Sequence, residues 1–272
     1  MRSVLLRCAQ ALFLGLVLII VLYPLYQMFI LSVRPLADIN TYIAAVENRA
    51  LRFIPSYLWP TAFSLEQYTA ALSDTFIQGF RVAIIYTVVI TALQFPLALV
   101  MGMVFAKARF RGRDALFFFF IASMVLPFHV TVVPLNQIMH WLNIFDSPWA
   151  VILLGVFSPL GVFLFRQFIS QVPDEVLEAA AIDGAGPVRT IVFIVLPMIS
   201  YGLVMYFLLT ITIQWSAIEP VLAFVRREEW QPVSLQLRDM MVNNPAQMFA
   251  PGVMYMLPML FVYGVSSLRE DE

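Results

Sequence analysis

The sequence predicts an all-α integral membrane protein with six transmembrane helices. Of its 272 residues, 61% are hydrophobic and only 12% are charged, and the mean hydropathy is +0.87. Its apolar runs approach or exceed the roughly 20 residues that a helix needs to cross a bilayer. Polar stretches with charges, prolines and glycines separate the runs. We therefore expect transmembrane helices at residues 8–33, 82–106, 115–138, 147–165, 198–218 and 249–268.

The first apolar run follows two arginines and carries no charge. It is too long for a secretory signal and lacks an A-x-A cleavage site. Cys8 precedes the apolar stretch, whereas in a lipoprotein the processed cysteine would follow it. We therefore expect that residues 1–33 form the N-terminus and a retained first transmembrane helix.

Residues 34–81 are mixed in composition and predict an extracytoplasmic loop. Within it we expect short helices around residues 37–50 and 65–73, with a weak capping box formed by Ser64 and Gln67. The rest of the chain, residues 82–272, is expected to hold the other five spans.

A short cationic loop fixes the predicted orientation. Residues 107–113 hold four cations, and short loops of this kind stay in the cytoplasm. With both termini on that side, nine cations are cytoplasmic and six are external, and Arg81 lies at a boundary.

In the third span His129 lies between Pro127 and Pro134. It is either a pore or proton-relay residue or a side chain that forms hydrogen bonds with backbone groups freed at the proline kink.

A polar helix interrupts the apolar pattern between the fourth and fifth spans. Pro173 suits a first helical position and Gly184 suits a left-handed cap, so a helix is expected over residues 173–183. Acidic residues fall in its first half, where the helix dipole favours them. One narrow face of the helix carries small residues, so another protein could pack closely on it. Its residues are Val176, Ala179, Ala180 and Asp183.

The sequence excludes several kinds of chemistry. Lys107 is the only lysine and is followed by Ala108, so no P-loop for ATP is present. Neither H-E-x-x-H nor G-x-S-x-G occurs, and no cofactor or metal site is expected. Few charges lie in the spans, which argues against a carrier coupled to protons or sodium. Energy for uphill transport would have to come from a partner.

Several motifs resemble the permeases of bacterial ABC importers. Glu178-Ala179-Ala180, then Gly184, then Ile194-x-Leu196-Pro197 is similar to the EAA loop of that family, here residues 171–197. Phe165-Arg166-Gln167-Phe168, Pro173-x-Glu175 and Phe105-Ala-Lys-Ala-Arg-Phe-Arg-Gly112 resemble the carbohydrate-uptake subfamily, in particular its subunit similar to the G subunit of maltose transporters. The resemblance covers nearly the whole chain.

The resemblance implies a permease of the bacterial inner membrane that carries a sugar, not an enzyme. Its implied partners are a second permease, two ATP-binding subunits that hydrolyse ATP, and an extracytoplasmic solute-binding protein that residues 219–247 would reach. The residues implied to couple the permease to the ATPase are Glu175, Glu178, Ala179, Ala180, Asp183, Gly184 and Pro197.

The polar residues of the spans are candidates for the solute path. The family's usual Trp-Asn-x-aromatic motif reads Trp215-Ser216-Ala217-Ile218 here, so its sugar contacts do not carry over. The alternatives are an importer of a non-sugar solute such as glycerol 3-phosphate and a scaffold that recruits an ATPase without transport. The path candidates are Gln94, Asn136, Gln137, Gln214, Trp215 and Ser216.

Overall fold

The computed structural model describes residues 2–47, 58–60 and 62–268. Three arginines of the cation count, Arg49, Arg52 and Arg269, lie outside the described residues. All regular elements in the described part are helical, which confirms the all-α prediction. In chain order the α-helices are α1 (Arg2–Ser32), α2 (Leu36–Glu47), α3 (Glu66–Ala71), α4 (Asp74–Lys107), α5 (Arg113–Ser123), α6 (Phe128–Trp141), α7 (Pro148–Val156), α8 (Pro159–Ser170), α9 (Asp174–Ile182), α10 (Pro187–Thr190), α11 (Leu196–Met198), α12 (Ser200–Trp215), α13 (Glu219–Phe224), α14 (Val233–Asn243) and α15 (Phe249–Leu268).

The described helices agree with six spans. Four stretches are long and apolar enough to cross a membrane continuously, and two bent helix pairs bring the number to six if each pair is one span. These stretches are Gln10–Ser32, Asp74–Lys107, Pro148–Ser170, which comprises α7 and α8, and Phe249–Ser267.

The chain divides into two compact units, which are described separately: Met1–Ile77 with Gln236–Phe261, and Gln78–Leu235 with Val262–Glu272. In the first unit, α2 and α3 confirm the two short helices expected in the loop. The predicted capping box is wrong, because Gln67 is buried and donates from Nε2 to the carbonyls of Leu31 (2.8 Å) and Arg34 (2.7 Å). Gln67 thus satisfies carbonyl groups at the end of α1 that a helix terminus leaves free.

The second span begins earlier than hydropathy predicted. α4 starts at Asp74 rather than Val82. The Oγ atom of Ser73 accepts a hydrogen bond from the Phe76 amide (3.3 Å), and Asp74 places a carboxylate in the first turn. Both features stabilise a helix N-terminus.

Aromatic side chains build the core of the second unit. Phe165 of α8 is fully buried, and its ring centroid lies 4.7 Å from that of Tyr206 and 5.5 Å from that of Phe95. Gly102 of α4 lets α4 and α8 pack closely, since a Cβ atom there would lie 2.4 Å from Cβ of Phe165. Edge-on aromatic pairs and a close helix crossing therefore hold α4, α8 and α12 together.

The third span is not the single straight helix that was expected at residues 115–138. α5 and α6 meet at 102°, and the break includes Pro127, whose ψ of 137° is extended. Proline supplies no N–H to continue a helix, and it drives the preceding residue away from helical geometry. His129 lies exposed on the first turn of α6, with its ring centroid 6.1 Å from that of Phe128.

The fourth and fifth spans also differ from the predicted ranges. The fourth extends to Ser170, so Arg166 lies inside α8 instead of closing it. In the fifth, Pro187–Met198 and Ser200–Trp215 form an angle of 88°. A π-helical turn, Ile191–Val195, directly precedes α11, which contains Pro197. Because the proline ring crowds the carbonyl one turn earlier, a widened turn at this place is physically reasonable.

The segment expected to be external, residues 219–247, is only partly exposed. α13 packs on α6 and α7, with Val221 and Phe224 fully buried. Asp146 fastens this segment, because its Oδ1 accepts the amides of Arg226 (2.8 Å) and Arg227 (3.0 Å). These backbone hydrogen bonds lower the pKa of the Asp146 carboxyl, so it stays charged at a lower pH than a free aspartate.

Candidate coupling helix and polar path

The polar helix predicted at residues 173–183 is present as α9, Asp174–Ile182. Pro173 precedes the helix in an extended conformation, with ψ of 139°, instead of occupying its first position. Gly184 has φ of +76°, as expected for a glycine cap. The amide of Gly184 donates to the Ala181 carbonyl (3.1 Å) and that of Ala185 to the Ala180 carbonyl (2.9 Å), which is the Schellman arrangement.

One side of α9 packs on its own chain. Leu177 contacts the aromatic core, and Ala180 is only 5% exposed. The predicted face of small residues is therefore split, because Ala179 is exposed while Ala180 is not accessible to a partner. Ala180 lies one turn after Leu177 on the same side of the helix, so its small size lets α9 lie close to the protein.

The opposite side of α9 is open. Glu175, Glu178, Ala179 and Ile182 follow one another at helical spacing and are all exposed. We call these four residues the outer face. Ile182 is 86% exposed, and among the described residues neither glutamate forms an ion pair. Ile182 was not among the residues predicted from sequence, although its spacing from Glu175 and Glu178 places it on their side of the helix.

A lysine fastens the start of α9 to the end of α4. Nζ of Lys107 lies 2.6 Å from Oδ1 of Asp174 and donates to the Val172 carbonyl at 2.5 Å. The hydrogen bond and charge of Lys107 lower the pKa of the Asp174 carboxyl. Since a long transmembrane helix ends at Lys107, this clamp joins α9 to a rigid element. The local sequence around Lys107 indicated the orientation of the loop and the absence of a P-loop, but not this contact.

Removing the clamp should loosen α9. We expect Lys107→Met to raise the hydrogen-exchange rate of amides in the first two turns of α9 several-fold, because two bonds to a charged donor are lost. Lys107→Arg is the matched control and should keep protection near the wild-type level. Because the folded-state pKa of Asp174 is lowered, the clamp contributes fully above the usual aspartate pKa of about 3.9 and is lost as pH falls through the folded-state value. Equal exchange in Lys107→Met and wild type at neutral pH would contradict this role.

Arg166 organises the same end of the bundle. Its guanidinium carbon lies 3.8 Å from the ring centroid of Phe117, and its Nε donates to the Phe105 carbonyl at 3.3 Å. Its Nη2 lies 3.7 Å from Oδ1 of Asp114. One side chain of α8 thereby contacts α4 and α5, which fixes the surroundings of α9.

The structure separates the predicted path residues by burial. Gln94 and Trp215 are buried, Asn136 and Gln214 are half-buried, and Gln137 and Ser216 are exposed. Trp215 makes an edge contact with Phe80, and Ser216 donates to the Thr212 carbonyl. The six residues therefore do not form one uniform lining.

Two threonines missed by the sequence analysis extend the buried polar set. Thr87, Thr91 and Gln94 recur at spacings of four and three along α4, so they lie on one side of it. All three are buried, and the Oγ1 atoms of both threonines and Oε1 of Gln94 have no hydrogen-bond partner among the described residues. Buried oxygens of this kind favour water or a polar solute beside them.

No group of three or more His, Cys, Asp or Glu side chains in the described part of the chain could hold a metal ion. What the arrangement offers instead is an exposed, capped helix fixed to membrane-spanning elements and a buried polar stripe within one of them.

The chain is similar to known components of transport systems. The family described as binding-protein-dependent transport system inner membrane component matches residues 94–268. The arabinooligosaccharides transport system permease protein AraQ of Halalkalibacterium halodurans is 26% identical over 247 residues, which cover 90% of this chain and 86% of that protein. The sn-glycerol-3-phosphate transport system permease protein UgpE of Yersinia enterocolitica is 29% identical over 214 residues, which cover 77% of this chain and 72% of that protein.

A solved structure has the same fold. It is a crystal structure of a bacterial ABC transporter involved in the import of the acidic polysaccharide alginate. The match has a TM-score of 0.80 and 22% identity, and it covers 97% of this chain and 95% of that one. At this identity the match concerns the fold.

Proposed function

Because the chain belongs to the family of binding-protein-dependent transport system inner membrane components, we propose that it is the permease subunit of an ABC importer and forms part of the path for a saccharide. Membership confirms the family resemblance seen in the EAA loop, and the match to the alginate transporter confirms the permease fold. The chain is a component of a transport system in the inner membrane.

The observation that carries the coupling role is the outer face of α9. An apolar side chain, Ile182, is exposed one turn after Glu178 on a helix capped at Gly184. Burial of an exposed isoleucine stabilises a complex by about 1.5–3 kcal/mol. Glu178 and Glu175 would pair with cations of the ATP-hydrolysing partner, and Ala179 would allow close approach. The other predicted residues would act indirectly. Ala180 would pack α9 on its own chain, and Asp183 and Pro197 would lie at the ends of the helix and of the loop.

The proposed assembly contains a second permease, two ATP-hydrolysing subunits and an extracytoplasmic binding protein. In this assembly residues 1–33 are the first span and residues 34–73 are an external loop, because α4 begins at Asp74 instead of Val82. Residues 74–272 are the permease core. Both termini and the loop 171–197 lie in the cytoplasm, which the cation distribution supports. Within residues 219–247 the exposed parts, residues 226–229 and 238–244, would contact the binding protein, since residues 219–225 and 232–235 largely pack on their own chain.

The mechanism follows from the clamp. When the ATP-hydrolysing subunits close, they move α9, and Lys107 transmits this movement to α4 through Asp174. Rigid helices then rock between outward- and inward-facing arrangements. Along α4 the stripe of Thr87, Thr91 and Gln94 would offer hydroxyl and amide groups to a hydrated solute. Trp215 and the less buried candidates Asn136, Gln137, Gln214 and Ser216 remain proposed path residues.

A saccharide is favoured over glycerol 3-phosphate because a relative that matches 90% of this chain is named as a permease for arabinooligosaccharides. The glycerol 3-phosphate permease, which covers 77%, motivates the second candidate. A phosphate dianion would also call for a cationic group along the path, whereas the stripe on α4 is neutral.

The test is ATPase activity of the reconstituted complex, purified with its co-encoded partners and binding protein, against a panel of saccharides and glycerol 3-phosphate. We expect one saccharide to stimulate hydrolysis several-fold. Stimulation by glycerol 3-phosphate alone would select the second candidate. A complex in which no ATPase copurifies, and no solute is transported, would overturn the importer assignment.

A further inference from the structure

The loop between α4 and α5 forms an open cationic cavity. It lies at the C-terminal end of α4 and the N-terminal end of α5. The cavity has a volume of about 540 Å³ and is lined by Arg109, Phe110, Arg111, Arg113 and Asp114. Gly112 has φ of +85°, which turns the chain sharply between Arg111 and Arg113, two of the arginines that line this open pocket. Neither the coupling helix nor the polar path uses Arg109 or Arg111.

The charge in this cavity is not balanced by the protein. Asp114 is the only acidic residue among the described residues that line it, and its Oδ1 already lies 3.1 Å from Nε of Arg113 and 3.7 Å from Nη2 of Arg166. In the described part of the chain Arg109 and Arg111 are exposed and form no ion pair. Arg109 contributes only a through-space attraction to Asp174, which Lys107 already binds. The cavity therefore attracts an anion.

An apolar surface continues from the cavity along α5. Phe110 at the cavity is 40% exposed. One turn into α5, Leu116 is 52% exposed, and Phe119, on the same side of the helix, is 73% exposed. An amphiphile with an anionic head would satisfy both surfaces, whereas a free anion or an acidic peptide would use only the arginines.

We propose that this cavity binds the headgroup of an anionic phospholipid whose acyl chains lie along Leu116 and Phe119. The arginines hold the phosphate, and the exposed side chains of α5 contact the chains. This site is independent of the transported solute and of the coupling role of α9.

The experiment measures lipid binding to the purified complex by native mass spectrometry, with phosphatidylglycerol and phosphatidylcholine as probes. Wild type should retain phosphatidylglycerol preferentially. Arg109→Gln/Arg111→Gln should weaken its binding about thirtyfold, given the usual contribution of one basic residue near an anionic lipid surface. Arg226→Gln/Arg238→Gln removes the same charge elsewhere and should leave binding unchanged.

Two further variants make the result decisive. Arg109→Lys/Arg111→Lys keeps the charge and should retain binding, which separates loss of the site from loss of folding. Leu116→Ser/Phe119→Ser should weaken phosphatidylglycerol binding. Equal binding of the two lipids, or no effect of Arg109→Gln/Arg111→Gln, would overturn the proposal. Full competition by inorganic phosphate, with no effect of Leu116→Ser/Phe119→Ser, would show a free-anion site and overturn it as well.

Discussion

A Glu178→Lys/Gly184→Trp variant is expected to lose solute uptake completely while the chain still folds and inserts into the membrane. Glu178 is exposed and forms no ion pair in the described part of the chain, so reversing its charge changes the outer face of α9 without breaking a bond within the protein. At Gly184 no atom beyond the adjacent residues lies within 4 Å of a Cβ position, so a side chain leaves the backbone into open space. An indole ring at this position would instead project into the space proposed for the ATP-hydrolysing subunit.

The matched control is Gly184→Ala. Alanine and tryptophan both carry the strain of φ at +76°, about 1–2 kcal/mol for a residue with a Cβ atom. Only tryptophan adds bulk, so the difference in uptake between the two single variants reports docking rather than strain. Copurification of the ATPase and uptake of the radiolabelled solute are the measurements. Normal uptake in the double variant would contradict the assignment of α9.

Gly102→Val is expected to prevent stable folding, because Gly102 lies at a close contact between α4 and α8. A Cβ atom there would lie 2.4 Å from Cβ of Phe165 and 3.0 Å from the backbone nitrogen of Arg166. Neither atom can move without moving α8, so the cost should reach or exceed the upper end of the usual 1–3 kcal/mol for overpacking.

Thermal unfolding in detergent and the amount of chain in the membrane check this prediction. Gly264→Val is the control, since beyond the adjacent residues and the backbone of α15 itself no atom lies within 4 Å of a Cβ atom at that position. We expect the control to unfold at the wild-type temperature within a few degrees. If both variants behave alike, the close packing of α4 on α8 is not what stabilises the bundle.

The positions of the spans could be predicted from sequence because hydropathy depends only on local composition. The breaks could not. Pro127 and Pro134 lie seven residues apart, yet the chain leaves the helix at Pro127 and continues through Pro134 inside α6. A proline in a membrane helix is accommodated or not according to its neighbours, which the local sequence does not contain.

The same division holds for the coupling segment. α9 and its glycine cap were predictable because capping depends on a few adjacent residues. Ala179 and Ala180 look equivalent in sequence, but tertiary packing buries one and exposes the other. The bond between Lys107 and Asp174 joins residues far apart in the chain, so no local pattern indicated it.

The most direct test places a photoreactive benzoylphenylalanine at position 182 and irradiates membranes that contain the complete transporter. We predict an adduct with the mass of this chain plus the ATP-hydrolysing subunit. Position 141 is the control, because Trp141 is 81% exposed but lies on the external side in the proposed topology. An adduct to the ATPase from position 182 alone supports docking of the outer face of α9. No ATPase adduct from position 182, or an equal one from position 141, would contradict it.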